Sequence, residues 1–266
     1  RFLFDSISLK TDASWVFILS AYSRTGMKDE ALKVFDEMPH RSVQSWTAVI
    51  SGFIQSGNSF DGILMFEKWR KEAVRIPDSI PFSSVLAGCA DLTSLQLGTQ
   101  IHCLVVSYGV EICSFVRNSL VDMYAKCGDV SAARKVFDVT PFKDVATWSC
   151  MIAGEANHGR TEEALKLFAE MVSVQIDPNE VTFIGLLQSC THSGSTTLGQ
   201  RVFDLMPKWG ISPSLKHFTC LLDLLGRAGH LKKAQQIVRK MSPQPDDATW
   251  MALLSACIKH QETLPP

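Results

Sequence analysis

Net charge is almost absent from this chain. Its 266 residues carry 26 Lys and Arg against 27 Asp and Glu, a formal charge of −1. That balance excludes the strongly basic footprint of most nucleic-acid binders, although a local basic stripe can sit within a neutral total. No apolar run reaches the roughly 18–20 residues that a membrane-spanning helix needs, so no membrane partner is expected. CxxC spacing is also missing. The eight cysteines are Cys89, Cys103, Cys113, Cys127, Cys150, Cys190, Cys220 and Cys257, and none belongs to a His/Cys cluster with zinc spacing. Cys89, Cys190 and Cys257 recur at one place in an internal pattern and read as small, buried, reduced residues of a non-secreted protein. There is no G-x-S-x-G elbow, and Gly226-Arg227-Ala228-Gly229 lacks the Lys-Ser/Thr of a phosphate loop. No catalytic residue, metal or cofactor is expected. The chain opens at Arg1, without Met and in mid-pattern, which reads as a fragment or a processed form.

What is present is repetition. Gly26, Gly57, Gly128, Gly159, Gly194 and Gly229 are spaced by 31, 71, 31, 35 and 35 residues, and each lies between two helical patterns. The 71 covers two repeats, with Thr93 standing where the intervening glycine would be. A period of this size predicts a solenoid, whose units bury their apolar faces only against neighbours. The composition agrees: 46% apolar residues suffice for a continuous core, and 20% charged residues of mixed sign argue against disorder.

Residues 145–179 show the logic of one unit. Trp148, Met151, Ile152 and Glu155 share one helical face, and Ala164, Leu167, Phe168 and Met171 form an i, i+3, i+4, i+7 stripe on a second helix. Gly159 suits the end of the first helix, where the backbone needs φ > 0. Thr161, followed by two glutamates, suits the start of the second. Pro178 ends the pair and Asn179 leads into the next. Trp15, Trp46, Phe82, Trp148, Phe183, Phe218 and Trp250 recur at the fourth place, with Arg117 as the exception. Phe35, Phe66, Phe137, Phe168 and Phe203 recur in the second helix. Both series are expected to be wedges between helices. The landmarks divide the chain into units 12–42, 43–78, 79–113, 114–144, 145–179, 180–214 and 215–246, with a preceding tail at 1–11 and an incomplete unit from Asp247. Short and long units follow a three-unit cycle, unlike a uniform tetratricopeptide array.

These residues carry a family likeness. Asn118–Asp138 closely resembles the short S-type motif of plant pentatricopeptide repeat proteins, and Ala31–Pro39 fits the same pattern. Ala164–Met171 resembles the second helix of a P-type motif. Leu221–Leu231 resembles the late S-type repeat before a C-terminal E extension, and Ala248–Cys257 resembles the opening helix of that extension. The whole resembles a PLS-class, E-type member: S units at 12–42, 114–144 and 215–246, P units at 43–78 and 145–179, L units at 79–113 and 180–214, and a partial E-type motif at 247–266. The resemblance implies an all-α, right-handed α-solenoid superhelix that binds single-stranded RNA, one nucleotide per repeat.

In the family, the fifth and last residues of a repeat together choose the base, while second residues of adjacent repeats sandwich it. Carried over, Thr47 with Asp78 resembles a guanine pair, Asn118 with Asp144 a uracil pair, Ser149 with Asn179 an adenine pair, and Thr219 with Asp246 a guanine pair. The sandwich positions are Gln44, Phe115, Ala146 and Lys216, and Lys216 also suits a phosphate. Val16 with Ser42, Ser83 with Cys113, and Ile184 with Ser214 match no readable combination. The implied footprint is 5′-NGNUANG-3′.

The same residues have a plainer reading. Asp78, Asp144, Asn179 and Asp246 each precede a helix, where Asp and Asn are favoured as caps, and Thr47, Ser149 and Thr219 fit as small solvated side chains. The HxE and PCxxC motifs of a cis-acting deaminase are absent. The resemblance implies a non-catalytic site-recognition factor for organellar C-to-U editing, with a deaminase acting in cis from a missing C-terminus or supplied in trans, and accessory proteins on the L units. A plant mitochondrion is favoured over a chloroplast. After His260 the usual continuation of the E extension is replaced by Gln261–Pro266. Both ends of the array lack capping units, which makes a homodimer through them an expectation of the same reasoning. A helical scaffold for protein partners is the competing function, and near-zero net charge favours it.

Overall fold

In a computed structural model, residues 2–7, 9–72, 80–110, 113–241 and 244–260 are described, and all their regular structure is helical. Asp78 and Gln261–Pro266 lie outside the described residues. The chain forms two compact units, Arg1–Val136 and Phe137–Pro266.

In the first unit a short α1 (Phe2–Asp5) precedes helical hairpins α2 (Asp12–Arg24) with α3 (Lys28–Glu37), α4 (Val43–Gln55) with α5 (Ser59–Glu72), and α6 (Ile80–Asp91) with α7 (Leu95–Ser107), then α8 (Ser114–Lys126). The first helices stack as a row, α2 on α4, α4 on α6 and α6 on α8, with the second helices packed alongside. Helix α9 (Val130–Val139) runs across the division between the units. The second unit continues the same plan: α10 (Val145–Asn157) with α11 (Thr161–Ser173), α12 (Glu180–Ser193) with α13 (Thr196–Leu205) and a 3-10 turn at Met206–Trp209, then α14 (Leu215–Arg227), α15 (Leu231–Lys240) and α16 (Asp247–His260). Its row is α10, α12, α14, α16.

The two aromatic series meet each other. Phe35 packs edge-on against Trp46 with ring centroids 4.6 Å apart, Phe66 against Phe82 at 5.6 Å, Phe137 against Trp148 at 4.9 Å, and Phe168 against Phe183 at 5.9 Å. Each aromatic of a second helix thus wedges under the fourth-place aromatic of the next first helix, worth about 0.5–1.5 kcal/mol beyond the area buried. Trp250 departs from expectation, being 44% exposed. Val238 stands in α15 where most second helices carry Phe, so the edge-to-face partner is missing. At the Arg117 exception, His102 takes the place of Phe and packs instead on Tyr124, with Nδ1 2.8 Å from the phenol oxygen.

The turn between paired helices needs a left-handed residue, and the six repeat glycines have φ from 67° at Gly194 to 92° at Gly128. Thr93 adopts φ 49° at the equivalent place, so the backbone demand persists where glycine is absent. A second left-handed position is found in three of the longer units, while residues 73–78 of the unit 43–78 lie outside the described residues. Gly109, Gln175 and Gly210, with φ 66°, 61° and 69°, follow the second helices of residues 79–113, 145–179 and 180–214. Helix α11 accordingly stops at Ser173, well before Pro178, which the sequence pattern took as the terminator. Thr161 is the first residue of α11 and does not cap it; its hydroxyl donates to Ser189 O at 3.1 Å and ties α11 to α12.

One packing rule escaped the sequence reading. At the place held by Ala31, Ala133, Ala164 and Ala234, all fully buried, the remaining hairpins carry Gly62, Gly98 and Gly199. A Cβ at Gly98 would lie 2.2 Å from Met123 Sδ, and one at Gly199 2.2 Å from Leu224 Cδ2. Close helix approach therefore demands Ala or Gly there. The cysteine pattern behaves as expected: Cys89, Cys190 and Cys257 are buried and all eight are free. Burial pushes the Cys89 thiol up to about 12 and that of Cys190 to about 11.

Candidate nucleic-acid interface

The helix row fixes where the candidate residues stand. Second-place residues lie in the first turn of each first helix, fifth-place residues one turn further on, and last-place residues just before the next first helix. Gln44, Phe115, Ala146 and Lys216 are all exposed, Phe115 by 74%. Thr47, Asn118 and Thr219 are half-buried. In the first unit, residues from all three places line one open groove of about 880 Å³: Ala13 and Gln44 (second), Val16 (fifth) and Ser42 (last). That volume falls within the range of small-ligand sites, about 300–1,000 Å³.

Three of the last-place residues assigned as readers are helix caps. Asp144 caps α10, its Oδ1 accepting from the Thr147 N–H and hydroxyl, each at 2.8 Å. Asp246 caps α16, with Oδ1 accepting from the Thr249 N–H at 2.9 Å and its hydroxyl at 2.6 Å. Those two bonds hold the Asp246 carboxyl below its ordinary value, the hydroxyl contributing most. Asn179 forms a capping box on α12: its Oδ1 accepts from Thr182 N–H at 3.0 Å, and Thr182 Oγ1 accepts from Asn179 N–H at 3.2 Å.

Ser149 and Asn179 are brought together. The Ser149 hydroxyl is 3.4 Å from Asn179 Oδ1 and 2.7 Å from Thr182 Oγ1. Ser149 is only 2% exposed, which corrects the expectation of a solvated side chain; its hydroxyl is drawn inward by the cap of the following helix. Thr219 and Asp246 are not bonded to one another. The Thr219 proton goes to Leu215 O at 2.9 Å, leaving the hydroxyl oxygen as an acceptor. Asn118 belongs to the first unit and Asp144 to the second, and each is placed within its own unit.

The unread pair Ile184 and Ser214 has a structural occupation that sequence reasoning missed. Ser214 caps α14 in a box with His217, which is fully buried. His217 Nδ1 accepts from the Ser214 N–H at 3.1 Å and Nε2–H donates to Glu180 O at 2.9 Å, so the ring is held neutral. Burial lowers its pKa, against a smaller upward pull from the Glu180 carbonyl and charge. Among the described residues, no group of three or more His, Cys, Asp and Glu converges as a metal site.

Comparison with known proteins places this arrangement in a family. The model of the PPR repeat matches residues 13–43, 44–74, 115–139 and 216–242, and that of the PPR repeat family matches 143–192. A mitochondrial pentatricopeptide repeat-containing protein of Arabidopsis thaliana is 41% identical over 98% of this chain and 35% of its own length. A chloroplastic one from the same plant is 35% identical over 91% of this chain and 33% of its own length. The chain thus spans about a third of the length of these relatives. The crystal structure of PPR10 in complex with an 18-nucleotide psaJ RNA element superposes with a TM-score of 0.74, covering 98% of this chain and 39% of that one at 16% identity. That likeness bears on the fold alone. With stacked hairpins, repeat models over most of the chain and Arabidopsis relatives agreeing, the chain belongs to the pentatricopeptide repeat proteins of plants.

Proposed function

We propose that this chain is a sequence-selective adaptor for single-stranded RNA, a PLS-class array that recognises a site for C-to-U editing in a plant mitochondrion or chloroplast. The observation that carries this is the groove lined jointly by Ala13, Val16, Ser42 and Gln44, in which second, fifth and last places of neighbouring hairpins share one surface. A base entering such a slot is flanked by second-place residues and meets fifth- and last-place side chains at its edge. Stacking in such slots is worth about 1–3 kcal/mol per base and tolerates any base. Selection then falls to Thr47 with Asp78, Asn118 with Asp144, Ser149 with Asn179, and Thr219 with Asp246, giving 5′-NGNUANG-3′. Lys216 adds a phosphate contact. Relatives labelled mitochondrial or chloroplastic support the organelle, and an RNA-bound PPR10 supports the ligand class. A deaminase acts either in cis from a C-terminal segment or in trans from a partner, with accessory proteins on the L units. The units 12–246 and the partial E motif at 247–266 are part of the same proposal.

The test is a titration against RNA carrying G, U, A and G in register, with each base changed in turn at fixed salt, then repeated across salt. Selective binding that weakens with salt, at a slope of about −0.7 per phosphate neutralised, supports the adaptor. Equal binding to all RNAs, or none, overturns it in favour of a protein scaffold.

A further inference from the structure

Thr147, Thr182 and Thr249 occupy the third place of their units, and each follows a pair assigned as readable: Asn118 with Asp144, Ser149 with Asn179, and Thr219 with Asp246. The unreadable pairs are followed by Ser45, Val116 and His217. All three threonines are fully buried, a place where the isosteric Val would fit without a polar group to satisfy. Their hydroxyls are nevertheless bonded, and always to the last-place residue of the preceding unit.

We propose that Thr182 is a specificity-positioning residue, which holds the Asn179 amide in one orientation so that its nitrogen, not its oxygen, meets the base. This rests on the RNA reading above. The Thr182 N–H donates only, so the Asn179 atom 3.0 Å from it is the oxygen; the hydroxyl lies a further 3.1 Å bond from the same atom. With Oδ1 turned inward, Nδ2 is the end left for the groove, and Asn179 is half-buried, with part of its side chain in solvent. An amide presenting N–H discriminates at the purine ring N1: adenine accepts there, whereas guanine carries a hydrogen and opposes donor to donor. Without the Thr182 hydroxyl, Oδ1 keeps only the Thr182 N–H and the Asn179 N–H loses its acceptor, so the amide is held less firmly and turns its oxygen to the groove more often, which suits guanine.

Thr249 holds Asp246 by the same pair of bonds, but a carboxylate presents an acceptor whichever oxygen is held. The same clamp therefore favours adenine with Asn and guanine with Asp, through exchange of one atom. Ser149 takes part through the 2.7 Å contact between its hydroxyl and that of Thr182, which also fixes the fifth-place side chain. At Thr47 with Asp78 the third place of the following unit is Pro81, which supplies neither hydroxyl nor N–H, so this pair lacks the clamp.

The experiment measures the affinity ratio for two RNAs differing only by A or G opposite Ser149 and Asn179, for the full chain and its variants. Because each ratio is taken on one variant, a loss of folded fraction cancels, and thermal melts record that loss separately. The wild-type chain is expected to favour A. Thr182→Val is expected to lower the A:G ratio about five- to tenfold, as for one discriminating hydrogen bond, with Thr182→Ser staying within about twofold of wild type. Ser45→Ala removes the comparable third-place hydroxyl after an unread pair, one bonded to Ser42 O at 2.8 Å, and is expected to leave the ratio unchanged. If Thr182→Val melts earlier but keeps the wild-type ratio, the clamp is structural only and the proposal falls. If the wild-type chain shows no preference for A, the RNA reading itself fails, and the inference with it.

Discussion

His217 gives the sharpest test of how these helices are held together. Replacing it with Leu keeps the buried volume apolar and removes three bonds, from the Ser214 N–H at 3.1 Å and hydroxyl at 2.8 Å and to Glu180 O at 2.9 Å. Loss of the reciprocal half of a capping box costs about 1 kcal/mol, and a deserted buried bonding partner about 1–3 kcal/mol more. Ser214 is half-buried, so water recovers part of its share, and the Glu180 carbonyl keeps its own helix. A net loss of about 2–3 kcal/mol at neutral pH is expected. The pH dependence distinguishes this from simple repacking. Burial lowers the His217 pKa from its ordinary 6.5, so the unfolded chain takes up a proton that the folded chain refuses. The stability contributed by the neutral ring is complete above 6.5 and falls as pH drops through 6.5 toward the lowered value. Urea denaturation followed by circular dichroism at pH 7.5, 6.5 and 5.5 should show wild type losing its advantage over His217→Leu on acidification. An advantage that stays constant across that range, or grows at low pH, would refute the buried neutral ring.

Two further outcomes follow from the backbone and the thiols. Thr93→Gly relieves a left-handed β-branched residue, worth about 1–2 kcal/mol, less the extra chain entropy of glycine, about 0.5–1 kcal/mol. Its melting temperature should therefore rise by about 1–4 °C, and a fall would contradict the turn geometry. Under native conditions at pH 8, a thiol reagent should modify the exposed Cys103 first, while Cys89 and Cys190, with pKa values raised to about 12 and 11, should react only on unfolding. Early labelling of Cys89, mapped by mass spectrometry, would contradict its burial.

Local patterns made much of the fold legible. Glycine spacing marked the turn within each hairpin because a left-handed residue is needed there, and this held even where Thr93 replaced glycine. Aromatic spacing marked the wedges, because the same aromatic pair recurs where most hairpins meet the next. Trp250 broke the pattern, and the place from which a Phe of the preceding second helix would meet it holds Val238. The Ala/Gly place was missed because small residues are common in helices, and only the 2.2 Å approaches at Gly98 and Gly199 give the choice its meaning. His217 gave no signal beyond a lone histidine; its role needs a carbonyl 37 residues away in sequence.

The period, helix pairs, turn residues and absence of a strong charge were determined by the sequence alone, since each depends on residues within one turn or one hairpin. The register of the candidate readers followed from the same period. Which atoms those readers present was decided only by the tertiary structure. Ser149 turns inward and Asn179 offers its amide nitrogen because the next helix needs its first N–H groups bonded, and Thr182 supplies both that demand and the hydroxyl that directs it.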